Sequence, residues 1–233
     1  MIRAIAIFVM AGLVSGGAAK ASFAQSHPDP KATSPAASEG GERTIDGIAA
    51  RIEDDVITTS EVRELGAFQK LVDGRAKSRD EIIRELADQW IVRQEALATN
   101  YSTPSDEEVE HAYDALVKQF PSAEKFQEQC AAVDLSQAAV RRLLRDQLYL
   151  SRFLDFRFRA AAQVDQQQIE DYYQNEFVPQ LKARGENVPP LEDVEDTIRE
   201  VLVQRAIDAR SAKWLEDTRE RLKIDIAPAG DDQ

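Results

Sequence analysis

The stretch Ile48-Ala-Ala-Arg-Ile-Glu-Asp-Asp-Val-Ile-Thr58 decides the fold, because it is strand-like in a chain that otherwise reads as amphipathic helix. Its β-branched residues stand beside an Asp54-Asp55 turn signal. The other strand-like segment lies at the far end, Leu222-Lys-Ile-Asp-Ile226, where apolar and polar residues alternate with the period of a half-buried strand. Two or three strands alone are marginal in water. The two segments are therefore expected to pair and to rest on helices. The fold class is mainly α: many helices, a small β element made by N- and C-terminal strands, and a long C-terminal helix.

Working outward, the helix starts are legible from local chemistry. Thr58 with Glu61, Ser78 with Glu81, Ser105 with Glu108 and Asp165 with Gln168 have capping-box spacing, Asp being a variant of the Ser/Thr rule. They predict a short helix from Thr58 to about Leu71. A longer one is expected from Arg79 to Thr99, with Ile83, Leu86, Trp90 and Leu97 inward. Asn100 suits a left-handed terminator, and Thr103-Pro104 separates the next helix. That one covers about Asp106 to Phe120 around Val109, Ala112, Tyr113 and Leu116. A short helix near Cys130 follows, then a long one from Ser136 to about Ala161 with Val140, Leu143, Leu144, Leu148 and Leu154 inward. Further helices are expected over about Gln166–Lys182 and Leu191–Arg221, the last spanning roughly 45 Å at 1.5 Å per residue.

The first residues read as a secretory leader. Arg3 precedes an apolar run from Ala4 to Val14, and Ala19-Lys-Ala21 and Ser22-Phe-Ala24 both end in small-residue cleavage patterns. The uncharged run is diluted by Gly12, Gly16 and Gly17 and falls below the roughly 20 residues needed to span a bilayer. The organisation expected is a signal peptide over 1–24, a flexible Pro/Ser/Ala/Gly linker over 25–44, a helical domain over 45–182, a helix and strand over 183–226 that pack back on it, and an acidic tail over 227–233. Export to a bacterial periplasm follows.

Formal charge is −13, and loss of Arg3 and Lys20 with the leader removes two positive charges to leave −15. That argues against nucleic-acid binding by counterion release and disfavours an anionic lipid surface. Cys130 is the single cysteine, so no intrachain disulfide forms; its setting, Phe126-Gln-Glu-Gln-Cys-Ala-Ala-Val133, suits a small buried hydrophobe. Both methionines precede Lys20, which leaves any adaptable cleft to Leu, Phe, Tyr and Ala.

Catalytic and metal signatures are scarce. Glu108-Val-Glu-His111 has the Glu-x-x-His spacing of di-iron bundles, but that site needs a second copy, and the other histidine is His27 in the linker. No His-Glu-x-x-His, Cys-x-x-Cys, Gly-x-Ser-x-Gly or phosphate-cradling glycine loop occurs. Neither an enzyme nor a cofactor is expected. Arg141, Arg142, Arg145, Arg152, Arg157 and Arg159 interleave with Tyr149, Phe153, Phe156 and Phe158. Two readings stand: a helix whose arginines pair with acids elsewhere, or a surface for extended peptides. Phe153, Phe156 and Phe158 cannot share one face at 100° per residue.

The order of elements resembles the N-terminal chaperone domain of the SurA and parvulin-type periplasmic foldases. The resemblance is carried by Val56-Ile-Thr-Thr-Ser-Glu-Val62, Leu86 to Glu95, Pro104-Ser-Asp-Glu-Glu-Val109, Val164-Asp-Gln-Gln-Gln-Ile-Glu-Asp-Tyr-Tyr173, Pro190-Leu-Glu-Asp-Val-Glu-Asp-Thr-Ile-Arg-Glu-Val-Leu202 and Lys223-Ile-Asp-Ile226. It covers about residues 45 to 226. Asn100-Tyr101 stands where the family usually has glycine, and only Lys182–Pro190 stands where a prolyl isomerase domain would be. The resemblance implies an ATP-independent holdase for unfolded or outer-membrane protein clients, with no isomerase activity. The candidate peptide contacts are Tyr149, Phe153, Phe156, Tyr172, Tyr173 and Trp214, although an aromatic at helical spacing is, taken singly, more often core. The alternative is a structural or assembly subunit with a dedicated partner or a second copy of itself. An isomerase using His111 is the third reading.

Overall fold

The computed structural model describes residues 46–228, and the expected leader, most of the linker and the end of the acidic tail lie outside them. The architecture is mainly α with one small antiparallel sheet. The strand-like stretch at 48–58 is a hairpin, β1 (Ile48–Ile52) and β2 (Asp55–Thr58), and β3 (Ile224–Ile226) pairs with the other edge of β1. The turn sits one residue earlier than Asp54-Asp55. Ile52 pairs with Asp55 across Glu53-Asp54, and Glu53 takes the left-handed conformation at φ 50° that a two-residue hairpin loop requires. Glu53 also receives the returning chain: its N–H donates to the Lys223 carbonyl at 3.1 Å, and its carboxylate accepts from the Lys223 N–H at 2.8 Å. A register shift between Ile48 and Ala50 turns both Ala49 and Ala50 into the core.

The helices are α1 (Thr59–Asp73), α2 (Arg79–Ala98), α3 (Asp106–Val117), α4 (Ala123–Ala132), α5 (Gln137–Phe158), α6 (Gln166–Tyr172), α7 (Val178–Ala183) and α8 (Leu191–Arg219). All four expected capping boxes form reciprocally, at Thr58/Glu61, Ser78/Glu81, Ser105/Glu108 and Asp165/Gln168. Each satisfies two end groups that the helix itself leaves unbonded. α2 ends as expected at Asn100, φ 52°, with Tyr101 N–H bonded to Ala96 O at 3.0 Å and Asn100 N–H to Leu97 O at 3.1 Å, a Schellman motif. Asp134 at φ 54° closes α4 the same way, through Leu135 N–H to Cys130 O and Asp134 N–H to Ala131 O.

Three helices differ from expectation, the first being α3, which stops at Val117 short of Phe120. The long central helix stops at Phe158, and Arg159–Ala161 is a 3₁₀ turn. The Gln166–Lys182 helix is broken into α6 and α7 by a π turn over Tyr173–Phe177.

Three apolar clusters make the core. Ala49, Ala50, Ile52 and Ile57 of the hairpin pack with Val62, Leu65, Ile82, Ile83 and Ala87 of α1 and α2. Gly66 leaves room for Ile82, since a Cβ there would lie 3.1 Å from Ile82 Cδ1. A second cluster joins α1, α3, α4 and α5 through Leu71, Tyr113, Leu116, Phe126 and Val140, with Cys130 buried among them. The third joins α2, α5 and α8 through Ile91, Val92, Ala96, Tyr149, Leu150, Phe153, Leu154 and Leu215. Because α2 lines two clusters, its buried face is wider than the expected stripe. Ile82, Ala87, Ile91, Val92 and Ala96 are inside, Leu86 and Trp90 are half-buried, and Leu97 is 57% exposed. α8 buries only Ile198, Ile207, Ser211 and Leu215 over its 29 residues, resting on α5, α6 and α2.

Candidate functional site

The arginine-rich helix is stitched to its neighbours by ion pairs. Arg141 donates to both carboxylate oxygens of Glu110 at 2.7 and 3.1 Å, Arg145 lies 2.5 Å from Asp106 and Arg152 lies 2.7 Å from Glu108, all on α3. Arg142 pairs with Glu64 of α1, and Arg157 with Glu95 of α2 at 2.7 Å. Arg159 joins Asp155 and Glu200 of α8, at 2.7 Å each. All six arginines of the basic stretch thus meet acids, and the hydrogen bonds from Arg141 and Arg159 hold Glu110 and Glu200 below the ordinary carboxylate range. Solvent-exposed pairs of this kind orient α5 more than they stabilise it.

The six candidate aromatics divide among three places. Tyr149 and Phe153 are core residues, with Phe153 1% exposed, so neither ring offers surface in this fold. Both pack on Tyr101, at ring-centre distances of 6.0 and 5.5 Å, and Tyr149 donates its hydroxyl to the Tyr101 carbonyl at 3.4 Å. Phe156 extends this cluster outward: its ring lies 5.3 Å from Tyr101 and it is 63% exposed. Tyr172 and Tyr173 sit elsewhere, at the π turn. Arg205 of α8 covers the Tyr172 ring at 4.8 Å and forks onto Glu176 at 2.9 and 2.8 Å. Tyr173 stacks on Phe177 and donates to the Pro189 carbonyl at 2.7 Å, which ties the Lys182–Pro190 connection to this helix.

Trp214 occupies the third place, a cleft of about 510 Å³ between α2, the end of α5 and the end of α8. Trp90, Ile91, Ala98, Trp214 and Leu222 supply its apolar wall, and Gln94, Glu95, Arg157, Thr218 and Arg221 its polar lining. Both tryptophans are positioned by neighbours. Trp90 donates its indole N–H to Asp55 of β2 at 2.7 Å. Trp214 lies 5.8 Å from the Phe158 ring and carries the Arg157 guanidinium 4.8 Å above it, a cation–π arrangement. Arg221 donates to the Asp217 carbonyl and the Thr218 hydroxyl, leaving its charge without a carboxylate in those contacts. An open cleft with aromatic walls and a rim carrying the Arg157–Glu95 pair and Arg221 can hold a bulky apolar side chain while offering donors to a passing carbonyl or carboxylate.

Beside the cleft, the end of α8 is fastened to α2 by Arg219 and Asp88, whose Nε and Oδ1 lie 3.0 Å apart. Both atoms are shut from solvent, and neither finds a well-aligned hydrogen bond. Burial pushes the Asp88 carboxyl up to about 6, with Glu85 adding to the effect and Arg219 opposing it.

Glu108 and His111 form no site together. Glu108 accepts from the Ser105 backbone and hydroxyl and meets Arg152, which together hold it below its ordinary range, and His111 is exposed. Reasoning from sequence alone did not pick out Trp90, Thr218, Arg221 or Leu222 as site residues. Trp90 was legible only as part of a helical stripe, and nothing local places it opposite α8. No protein-family model matches the chain, and no curated protein matches it.

Proposed function

We propose that the chain is an ATP-independent holdase that keeps unfolded polypeptides, outer-membrane proteins among them, from aggregating in the bacterial periplasm. The resemblance to the SurA and parvulin-type chaperone domain belongs to this proposal. The observation that carries it is the Trp90–Trp214 cleft, whose apolar wall stands beside Arg157 and Arg221. Phe156 and Leu97 are further exposed apolar side chains outside the cleft lining. Many weak apolar contacts with a few donors favour tolerance of client sequence over high affinity. A formal charge of −13 keeps such a protein soluble while it handles aggregating chains.

The test is light scattering from a urea-denatured outer-membrane β-barrel diluted into buffer without nucleotide. The protein should suppress scattering in proportion to its concentration. Trp214→Ala should reduce suppression and keep the helical circular dichroism spectrum. No suppression at several-fold excess of folded protein would sink the proposal and favour a subunit with one dedicated partner.

A further inference from the structure

The sheet ends on an open edge. In the order β2-β1-β3, β3 is the last strand among the described residues. The ladder fixes which way its backbone points. Arg51 pairs with Asp225, and the flanking bonds run from Glu53 N–H to Lys223 O and from Ala227 N–H to Ala49 O, at 3.1 and 3.0 Å. Lys223, Asp225 and Ala227 therefore direct their N–H and C=O groups at β1. By the alternation of an antiparallel ladder, Ile224 and Ile226 direct theirs outward, on the side where no strand follows among the described residues.

We propose that a second copy of this chain pairs with this edge, β3 against β3 in antiparallel sense, with Ile224 of each copy on the two-fold axis. Three registers place the axis on a residue of β3; the one centred on Ile226 sets Ile224 against Pro228, which has no N–H to give, and charge separates the other two. With Asp225 on the axis, two aspartates face each other directly. With Ile224 on the axis, Lys223 of each copy faces Asp225 of the other, and Ile226 meets the carbonyl of Leu222, whose N–H is bonded to Arg219 O at 3.2 Å in the bend before β3. The segment Lys223-Ile-Asp225 is thus complementary to itself in charge in one register and sets like charges together in the other. Lys223 and Asp225 meet each other at 3.6 Å along the strand with side chains 78% and 64% exposed, a loose pair that can exchange for the cross-strand one, and Ile226 is 42% exposed. An edge this short makes a weak, concentration-dependent dimer and not a permanent one. This inference does not depend on the holdase reading.

The experiment is sedimentation equilibrium of the full chain from low micromolar to millimolar concentration. The expected result is a mass rising towards twice the monomer. Lys223→Glu makes the outward strand wholly acidic and Asp225→Lys makes it wholly basic. Each variant alone should dimerise about ten-fold more weakly. An equal mixture of the two should dimerise at least as well as the unaltered chain, because every cross-strand charge pair would then join an acid on one copy to a base on the other. Rescue by mixing separates pairing from misfolding, since a variant that had lost its fold could not be rescued. A monomer at every concentration would overturn the proposal. So would a dimer indifferent to both substitutions, or two weakened variants that mixing fails to restore.

Discussion

Removing Arg219 should produce a loss of stability that acid reverses. Arg219→Met keeps the apolar stem and deletes the charge 3.0 Å from Asp88. Two unit charges about 4 Å apart attract by about 4 kcal/mol at an effective dielectric constant near 20. The two side chains are 33% and 28% exposed, so solvent screening reduces the expected loss to about 2 kcal/mol. The sign with pH follows from Asp88. Its carboxyl is raised from 3.8 to about 6 in the folded chain, so ionising it costs stability. That cost is absent below the unfolded value, grows as pH rises, and is complete above the folded value. In Arg219→Met the carboxyl rises further, so the loss should be mostly present at about pH 7.5 and largely gone at about pH 5. Asp88→Asn should flatten the pH dependence between those values. Urea unfolding of the three proteins at both pH values measures this. An Arg219→Met loss equal at both, or an undiminished slope in Asp88→Asn, would refute the electrostatic account and assign the effect to packing.

Phe153→Ala should cost about 3–5 kcal/mol in chemical denaturation, because the ring is 1% exposed in the cluster joining α2, α5 and α8. Phe156→Ala, three residues on and 63% exposed, should stay within about 0.5 kcal/mol and should weaken client binding. Asn100→Val should lose about 1–2 kcal/mol in thermal unfolding while Asn100→Gly keeps or gains stability, since position 100 sits at φ 52°. Overall stability should peak below neutrality, near about pH 5. Above that Asp88 ionises at a cost. Below it carboxylates held low by partners, Glu176 and Glu200 among them, protonate and give up the stability they contribute when charged.

Legibility in the sequence tracked the range of the interaction. Ser78 finds Glu81 within a single turn, so the start of α2 is written in four consecutive residues, and the same holds at Thr58, Ser105 and Asp165. Asn100 is a left-handed residue because Asn tolerates that conformation, again a local property. Failures began where two elements meet. Leu97 looked inward on a helical wheel drawn for one face, but α2 serves two clusters, and the smaller Ala96 is the residue taken inside. The π turn at Tyr173–Phe177 had no sequence mark; it accompanies the bonds of Tyr173 to Pro189 and of Glu176 to Arg205, partners beyond the helix itself.

By itself the sequence determined a mainly helical chain with strands near both ends, the positions at which its helices begin, and the alternating charges of Lys223 and Asp225. Caps, turns and alternation need only neighbours a few residues away, so a linear reading reaches them. The tertiary structure alone decided that Trp90 and Trp214 share a cleft, that Asp88 is buried against Arg219, and that Phe153 is core while Phe156 is surface. Those outcomes depend on which helix lies against which, and close packing of side chains distant in sequence settles that only once the whole chain has folded.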